Sequence, residues 1–309
     1  MPAAGAEGGP RFEDPVLSPG GGPTGAGFGP SSIASADFDG DGHVDLAVVS
    51  WLLPPGVFVY TNLGNGTFDE AVRYDVPGPL APRPVSGVGA FPVVAADFDG
   101  DGHVDLAIGN AGTNNISVLA NTGSGGFAPA GSYPSVGSPH DMVVADLNGD
   151  GTPDLAATNP LGGTVTILLG DGAGGFSTTS VAAPFPTTIV AGDLDNDGNI
   201  DLVTFGGFGG NAHPLIGDGR GSFTPGTPID MGGINEGAAI GDGRADLIVA
   251  SATGEVLVAL GNGDGRFAAP VATPLGAALD VAIVHLDGDE PPTVPLAAAR
   301  LSSSVMERP

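Results

Sequence analysis

The 309-residue sequence contains no cysteine, no lysine, a single tryptophan and no long apolar run. The absence of cysteine excludes disulfides and thiol chemistry. Eight arginines oppose 35 acidic residues and the formal charge is −27, so binding to nucleic acid phosphates is excluded as a function. No stretch of about 18 apolar residues occurs, so no membrane span is predicted. The first residues lack a basic segment followed by an apolar one, so no signal peptide is predicted in this sequence.

Glycine and proline, in contrast, are abundant, with 55 and 29 residues. Such a proportion on its own is typical of low-complexity chains. Here, however, the glycines recur at regular positions between short apolar segments. This regularity indicates an ordered repeat protein.

Residues 37–46 read D-F-D-G-D-G-H-V-D-L and define the repeat. Acidic side chains stand at positions 1, 3, 5 and 9, and His43 at position 7 can offer its backbone carbonyl. Calcium takes six to eight oxygen ligands of these kinds. The loop differs from an EF-hand because position 12 is Val48, within a strand-like run, and not a bidentate glutamate. The pattern predicts a calcium loop between two strands.

The same loop recurs three more times, and the four copies predict about four bound Ca²⁺ ions. The predicted metal ligands are Asp37, Asp39, Asp41, His43 and Asp45; Asp97, Asp99, Asp101, His103 and Asp105; Asp146, Asn148, Asp150, Thr152 and Asp154; and Asp193, Asp195, Asp197, Asn199 and Asp201. Two degraded copies follow, with Ala238 at position 1 of the fifth and Thr293 at position 9 of the sixth. These two copies are expected to bind no ion.

The loops recur every 45 to 60 residues, and a second marker, a Gly-rich turn ending in phenylalanine, recurs with them. Periods in this range indicate a propeller or solenoid. Four short strands per unit, with no helical periodicity, predict an all-β propeller of four-stranded antiparallel blades, in which the recurring phenylalanine belongs to the core between blades. Six blades are predicted, with seven as the alternative. The whole chain is expected to form one domain, whose repeat units cover approximately 11–62, 63–121, 122–170, 171–216, 217–260 and 261–309.

The first unit begins with an extra strand at 12–17, whereas the last unit lacks a fourth strand. Pairing the N-terminal strand with the segment around 301–305 would complete the sixth blade and close the ring. Closure would also remove exposed strand edges.

With the loop, the turn and the period together, the chain resembles the FG-GAP/VCBS repeat family, the calcium-loop propeller found in integrin α-subunits. The resemblance covers roughly residues 11–306. It implies a calcium-stabilised binding or adhesion module that lies outside the cell or at the cell surface. It also implies that the ligand is a protein or a carbohydrate. A monomer is expected. Propellers host many unrelated activities, so the ligand does not follow from the fold.

In an up-and-down blade the loops alternate between two faces, so the ligand is expected on the face opposite the metal loops. That face receives Trp51, Leu52 and Arg83, which are the candidate ligand contacts; packing of Trp51 against the next blade is an equal alternative. The chain is not expected to be an enzyme. Ser138, His140 and Asp141 fall within four consecutive residues, but a catalytic triad is assembled in space and adjacent residues on a strand point to opposite faces, so a chance occurrence is expected. The alternatives are a polysaccharide lyase or hydrolase on the same scaffold, or a structural spacer in a larger surface protein.

Overall fold

The structure is a computed structural model, and it describes residues 30–50, 56–76, 91–206, 210–232, 235–240, 246–251 and 255–274. These residues form five successive antiparallel sheets, and no described residue is helical. In four sheets the strand order follows the chain, and in the remaining one an additional short strand pairs with the third. The described residues thus contain no helix that could span a membrane.

Each sheet has a long pair of central strands and a fourth strand of variable length. The first two sheets contain β1 (Pro30–Ala36), β2 (Asp45–Ser50), β3 (Gly56–Tyr60) and β4 (Val72–Tyr74), then β5 (Val93–Ala96), β6 (Asp105–Asn110), β7 (Asn115–Asn121) and β8 (Phe127–Pro134).

The third and fourth sheets contain β9 (Met142–Ala145), β10 (Asp154–Asn159), β11 (Thr164–Gly170) and β12 (Phe176–Ala182), then β13 (Pro186–Gly192), β14 (Asp201–Gly206), β15 (Asn211–Gly217), β16 (Phe223–Pro225) and β17 (Ile229–Asp230). The fifth sheet contains β18 (Asn235–Ile240), β19 (Leu247–Ser251), β20 (Glu255–Ala259) and β21 (Val271–Pro274).

Consecutive sheets pack face to face through apolar side chains. The second strand of every sheet has an apolar centre, as at residues 106–108, and all six residues of Asp105–Asn110 and of Asp154–Asn159 are buried because a neighbouring sheet covers each face. Four buried clusters result, and each joins residues of two consecutive sheets. The stacked four-stranded sheets confirm the all-β, propeller-like architecture. The predicted sixth blade and the closing strand at 12–17 lie outside the described residues.

The recurring phenylalanine belongs to this inter-sheet core, as predicted. Phe127 of the second sheet packs edge-on against Phe38 and Tyr74 of the first, with ring centroids 5.5 and 5.4 Å apart. Phe176 of the third sheet repeats the contact with Phe98 and Tyr133 of the second. Such edge-on aromatic pairs each contribute roughly 0.5–1.5 kcal/mol beyond their area burial.

Candidate calcium loops

The four acidic loops connect the first and second strands of the first four sheets, as the sequence predicts. We name them loop one (37–45), loop two (97–105), loop three (146–154) and loop four (193–201). Position 6 of each loop is a glycine with φ between 84° and 89°, at Gly42, Gly102, Gly151 and Gly198. This left-handed conformation is rarely adopted by residues with a Cβ, so glycine is required for the bend. At position 4 loop four instead carries Asn196, with φ 60°, which asparagine tolerates.

The aspartate at position 1 organises each loop by accepting backbone N–H groups. In loop two, Asp97 Oδ1 accepts the N–H of Gly100 at 2.8 Å and Asp97 Oδ2 accepts the N–H of Gly102 at 2.9 Å. The same bonds occur in loop one and loop three. The loop is therefore folded around its first carboxylate, and the following acidic side chains are brought to one place.

Three of the loops bring three carboxylates together. The potential ligand oxygens lie within 4.8 Å of one another for Asp37, Asp39 and Asp45; for Asp97, Asp99 and Asp101; and for Asp193, Asp195 and Asp197. Loop three, which is described in full, does not form such a group. In loop three the Nδ2 of Asn148, at position 3, donates to Oδ2 of Asp150, at position 5, at 2.8 Å. One oxygen of the position 5 carboxylate is therefore already hydrogen-bonded within the loop.

The electrostatics of the loops differ in the same way. Desolvation, together with repulsion from neighbouring carboxylates, raises the pKa of Asp195 above its ordinary value. The same two effects raise the pKa of Asp39, although a backbone hydrogen bond partly opposes them. In loop three the side-chain and backbone hydrogen bonds from Thr152, with that from Asn148, lower the pKa of Asp150. Loops one and four thus hold acidic charge that is poorly compensated, whereas loop three partly compensates its own charge.

The position 9 aspartates are buried and fasten the loop to the third strand. Asp154 Oδ2 accepts the N–H of Leu147 at 2.8 Å, and its Oδ1 accepts the N–H of Gly170 at 2.7 Å. Asp45, Asp105 and Asp201 make the corresponding pairs of bonds. Burial raises the pKa of Asp154 and of Asp201 to about 6, and it also raises the pKa of Asp105.

The fifth copy retains this fastening although it has lost its first ligand. Asp246 Oδ1 accepts the N–H of Gly261 at 2.9 Å. The position 9 aspartate therefore has a structural role that does not depend on a complete ligand set. Residues 241–245 of this copy, the whole sixth copy, and the ligand-face candidates Trp51, Leu52 and Arg83 lie outside the described residues.

The side chain at position 7 lies against the Gly-rich turn of its own sheet. A Cβ at Gly64 would lie 2.3 Å from His43 Nε2, and one at Gly123 would lie 2.8 Å from His103 Nε2. Thr152 and Asn199 similarly lie close to Gly172 and Gly219. The histidines therefore occupy the space left by a glycine. Coordination at this position through the backbone carbonyl stays a prediction.

Each loop also contacts the Gly-rich turn of the following sheet, a contact that sequence reasoning missed. The carbonyls of Phe98, Leu147 and Leu194, all at position 2, accept the N–H groups of Gly174, Gly221 and Gly265 at 3.1, 3.2 and 3.1 Å. At the first boundary the Phe38 carbonyl accepts Asn121 Nδ2 at 2.8 Å. The regular spacing of the two markers was the available signal, because it places a turn beside every loop.

On the opposite face, the side chains of His140 and Asp141 hold backbone groups, whereas that of the nearby Ser138 does not. Asp141 Oδ1 and Oδ2 accept the N–H groups of Met142 and Ile189, at 2.9 and 3.1 Å, and His140 Nδ1 lies 2.7 Å from the Thr187 carbonyl. Within the described part of the chain, the buried Ser138 Oγ makes no hydrogen bond. The serine is thus not activated by a neighbouring base in this geometry.

The sequence matches the FG-GAP-like repeat family at residues 37–108, 97–157 and 146–204, which together span more than half of the chain. The chain belongs to the FG-GAP repeat family. Its matched residues include all four complete loops. Among curated proteins, none matches the chain significantly in sequence.

Several solved structures share the fold. A lectin of Agrocybe aegerita that recognises non-reducing terminal N-acetylglucosamine is 24% identical, with a TM-score of 0.54, over 78% of this chain and 66% of the lectin. The periplasmic gluconolactonase PpgL of Pseudomonas aeruginosa is 17% identical, with a TM-score of 0.57, over 79% of this chain and 70% of that protein. A putative 6-phosphogluconolactonase of Bacteroides fragilis is 17% identical, with a TM-score of 0.58, over 78% and 70%. This FG-GAP repeat protein thus spans slightly less than two thirds of the lectin, and the likeness shows the fold alone.

Proposed function

We propose that this FG-GAP repeat protein is a calcium-stabilised binding module, whose ligand contacts the face opposite the calcium loops. The observation that carries the calcium assignment is the clustering of three carboxylates within 4.8 Å in each of three loops. Hard oxygen donors in a glycine-bent loop fit calcium, which accepts irregular geometries with six to eight oxygens. A bound ion would compensate the carboxylate charge of each cluster.

The ions are proposed to be structural. Every candidate ligand lies in a loop that already makes its own backbone hydrogen bonds, and the loops repeat with the sheets. A catalytic metal needs an open coordination position beside substrate-binding groups. Calcium would therefore hold the sheets together while another surface binds the ligand.

The opposite face supplies an exposed apolar pair that suits a binding role. Val136 and Leu161 are 51% and 58% exposed; Val136 lies in the connection between the second and third sheets, and Leu161 in the turn between β10 and β11. Val136 contacts Gly162, the residue after Leu161, because a Cβ at Gly162 would lie 1.9 Å from the Val136 carbonyl oxygen. Thr164 Oγ1 also donates to that carbonyl at 3.3 Å. Contiguous exposed apolar surface marks interaction sites when it is extensive, so we propose this pair as part of a larger contact surface.

A carbohydrate is the ligand class to test first, with a protein ligand as the alternative. The support is the similarity in fold to a lectin that recognises terminal N-acetylglucosamine. A glycan array, probed with the protein in calcium and again in chelator, tests this proposal. We expect calcium-dependent binding that is lost in the double variant Val136→Asp/Leu161→Asp. Variants with the same change at the exposed Val72 and Val271, which lie in fourth strands away from the calcium loops, serve as controls.

An enzyme is the second candidate function, because two similar structures are described as lactonases. Hydrolysis of a panel of sugar lactones, followed by pH measurement, tests it directly. Turnover that survives chelation and the double aspartate variant would favour the enzyme over the binding module.

The six-blade closure is proposed as part of the same function, because a binding face needs a rigid scaffold. Deleting residues 1–18 should lower the melting temperature or cause aggregation, since the strand predicted at 12–17 would be missing from the last blade. An unchanged, monomeric melt would contradict the closure. The extracellular location and the monomeric state are likewise proposals.

A further inference from the structure

Gly174, in the Gly-rich turn of the third sheet, is held by the second sheet at both of its backbone polar groups. Its N–H donates to the carbonyl of Phe98, position 2 of loop two, at 3.1 Å. Its carbonyl accepts the hydroxyl of Tyr133, in β8, at 3.0 Å. The Tyr133 ring also packs edge-on against Phe176 at the end of the same turn, with centroids 5.2 Å apart. The turn is therefore fixed between the loop and a tyrosine.

The first boundary between sheets has the same tyrosine contact. Tyr74, in β4, donates its hydroxyl to the carbonyl of Gly125 at 3.3 Å, and its ring packs against Phe127. A Cβ at Gly125 would lie 3.0 Å from the Cβ of Asp39, position 3 of loop one. Here too, the turn of one sheet lies on the acidic loop of the preceding sheet.

The third and fourth boundaries lack the hydroxyl. Tyr74 pairs with Val57 and Tyr133 pairs with Ile116, in the third strand of their sheets. In the next two sheets the residues at the matching position are Val181, which pairs with Val165, and Ile229, which pairs with Ala212. Valine and isoleucine have no group to donate. The turn carbonyls at Gly221 and Gly265 therefore do not receive this bond from the matching position.

We propose that Tyr74 and Tyr133 are positioning residues for calcium at loops one and two, and that they act through the Gly-rich turn of the following sheet. In loop two the turn holds the position 2 carbonyl, which lies between two ligand positions, so the carboxylates on either side are fixed as well. In loop one the Phe38 carbonyl accepts Asn121 Nδ2 instead, and the turn acts by packing Gly125 against the ligand Asp39. A preorganised site binds its ion more tightly because less ordering remains to be done on binding. Loops three and four lack this support. The inference rests on the proposed calcium function of the loops.

The decisive variant is Tyr133→Phe, which removes one hydroxyl and keeps the ring packing. Calcium should be titrated while hydrogen exchange is followed by mass spectrometry in peptides that contain each loop, which gives a separate midpoint for each. We expect the midpoint of loop two to rise on the order of three- to tenfold, the range that the loss of one hydrogen bond corresponds to. Exchange protection of residues 170–176 by calcium should weaken as well.

Two further variants make the test specific to a boundary. Tyr74→Phe is the matched control, because it should shift the midpoint of loop one and leave that of loop two unchanged. Val181→Tyr is the converse change, because it places a hydroxyl at the matching position of the third sheet. We expect it to lower the midpoint of loop three.

The outcomes separate this inference from the function on which it rests. If calcium protects the loops but Tyr133→Phe leaves the midpoint of loop two unchanged, the positioning role is wrong and the calcium function stands. If Tyr133→Phe lowers the melting temperature in chelator but leaves the calcium midpoint of loop two unchanged, Tyr133 is a purely structural residue and the inference is equally overturned. If calcium protects no loop of the unsubstituted protein, the calcium function itself is wrong.

Discussion

Loop two and loop three have the same backbone architecture but different chemistry. In both, the position 1 aspartate accepts two glycine N–H groups, and the position 9 aspartate fastens the loop to the third strand. Loop two gathers three carboxylates. In loop three, Asn148 replaces the position 3 aspartate and donates to Asp150. The loop shape therefore does not depend on a full set of acidic ligands.

This difference separates two roles that the sequence pattern merges. Positions 1, 6 and 9 shape the loop through backbone hydrogen bonds and a left-handed glycine. Positions 3 and 5 determine how much uncompensated charge the loop presents to an ion. The fifth copy supports the separation, because Asp246 retains its bond to Gly261 although Ala238 stands at position 1. The following predictions test this distinction, from the largest expected effect to the smallest.

Calcium removal should have the largest effect, because it acts on every loop at once. A site at 100 times its Kd contributes about 2.7 kcal/mol to the free energy of unfolding, so four sites should destabilise the apo form strongly. Thermal melting in excess calcium and in chelator measures this. Magnesium at the same concentration is the control. A shift of less than a few degrees would contradict structural calcium.

Truncating the position 2 side chain should have the next largest effect, and here the two loops should behave alike. Phe98 and Leu147 are each 1% exposed and lie in the cores between sheets. Phe98→Ala should lower the free energy of unfolding by about 3–5 kcal/mol and Leu147→Ala by about 2–5 kcal/mol. Urea unfolding in chelator measures both without a contribution from calcium.

The control for these truncations is Val136→Ala, at an exposed position, which should change the free energy of unfolding by less than about 0.5 kcal/mol. Loss of stability that appears only in calcium would show that position 2 acts through the ion and not through the core.

Exchanging the position 3 residues should reverse the difference between the loops. Asp99→Asn removes a carboxylate from loop two, and Asn148→Asp adds one to loop three and removes the donor to Asp150. Because ligand charge tunes calcium affinity, we expect changes on the order of tenfold in opposite directions. Calorimetric titration combined with native mass spectrometry measures affinity and the number of ions. Equal affinities in both variants and the unsubstituted protein would show that position 3 is not a ligand.

The sequence predicted the repeated sheets well because both repeat markers form local turns, whose residues are close together in the sequence. The loop and the Gly-rich turn each set a tight connection between neighbouring strands, so their spacing alone indicates four-stranded repeats. The contact between Gly174 and Phe98 was not predicted, because it joins residues 76 positions apart through backbone atoms that no side-chain pattern reveals. The hydrogen bond from the Tyr133 hydroxyl to the Gly174 carbonyl was not predicted either, because it joins residues 41 positions apart in different sheets. The charge difference of loop three was visible at Asn148, but its bond to Asp150 required coordinates.

Position 7 should show the smallest effect, and it tests the prediction that this residue coordinates through its backbone. The His103 imidazole lies against Gly123, and its backbone N–H donates to Asp101 Oδ1 at 2.8 Å. His103→Ala keeps that N–H and the carbonyl, so the calcium affinity of loop two should remain within about twofold of the unsubstituted value, as expected for backbone coordination. Peptide-resolved calcium titration measures this affinity. A tenfold loss in the variant would place the imidazole on the ion.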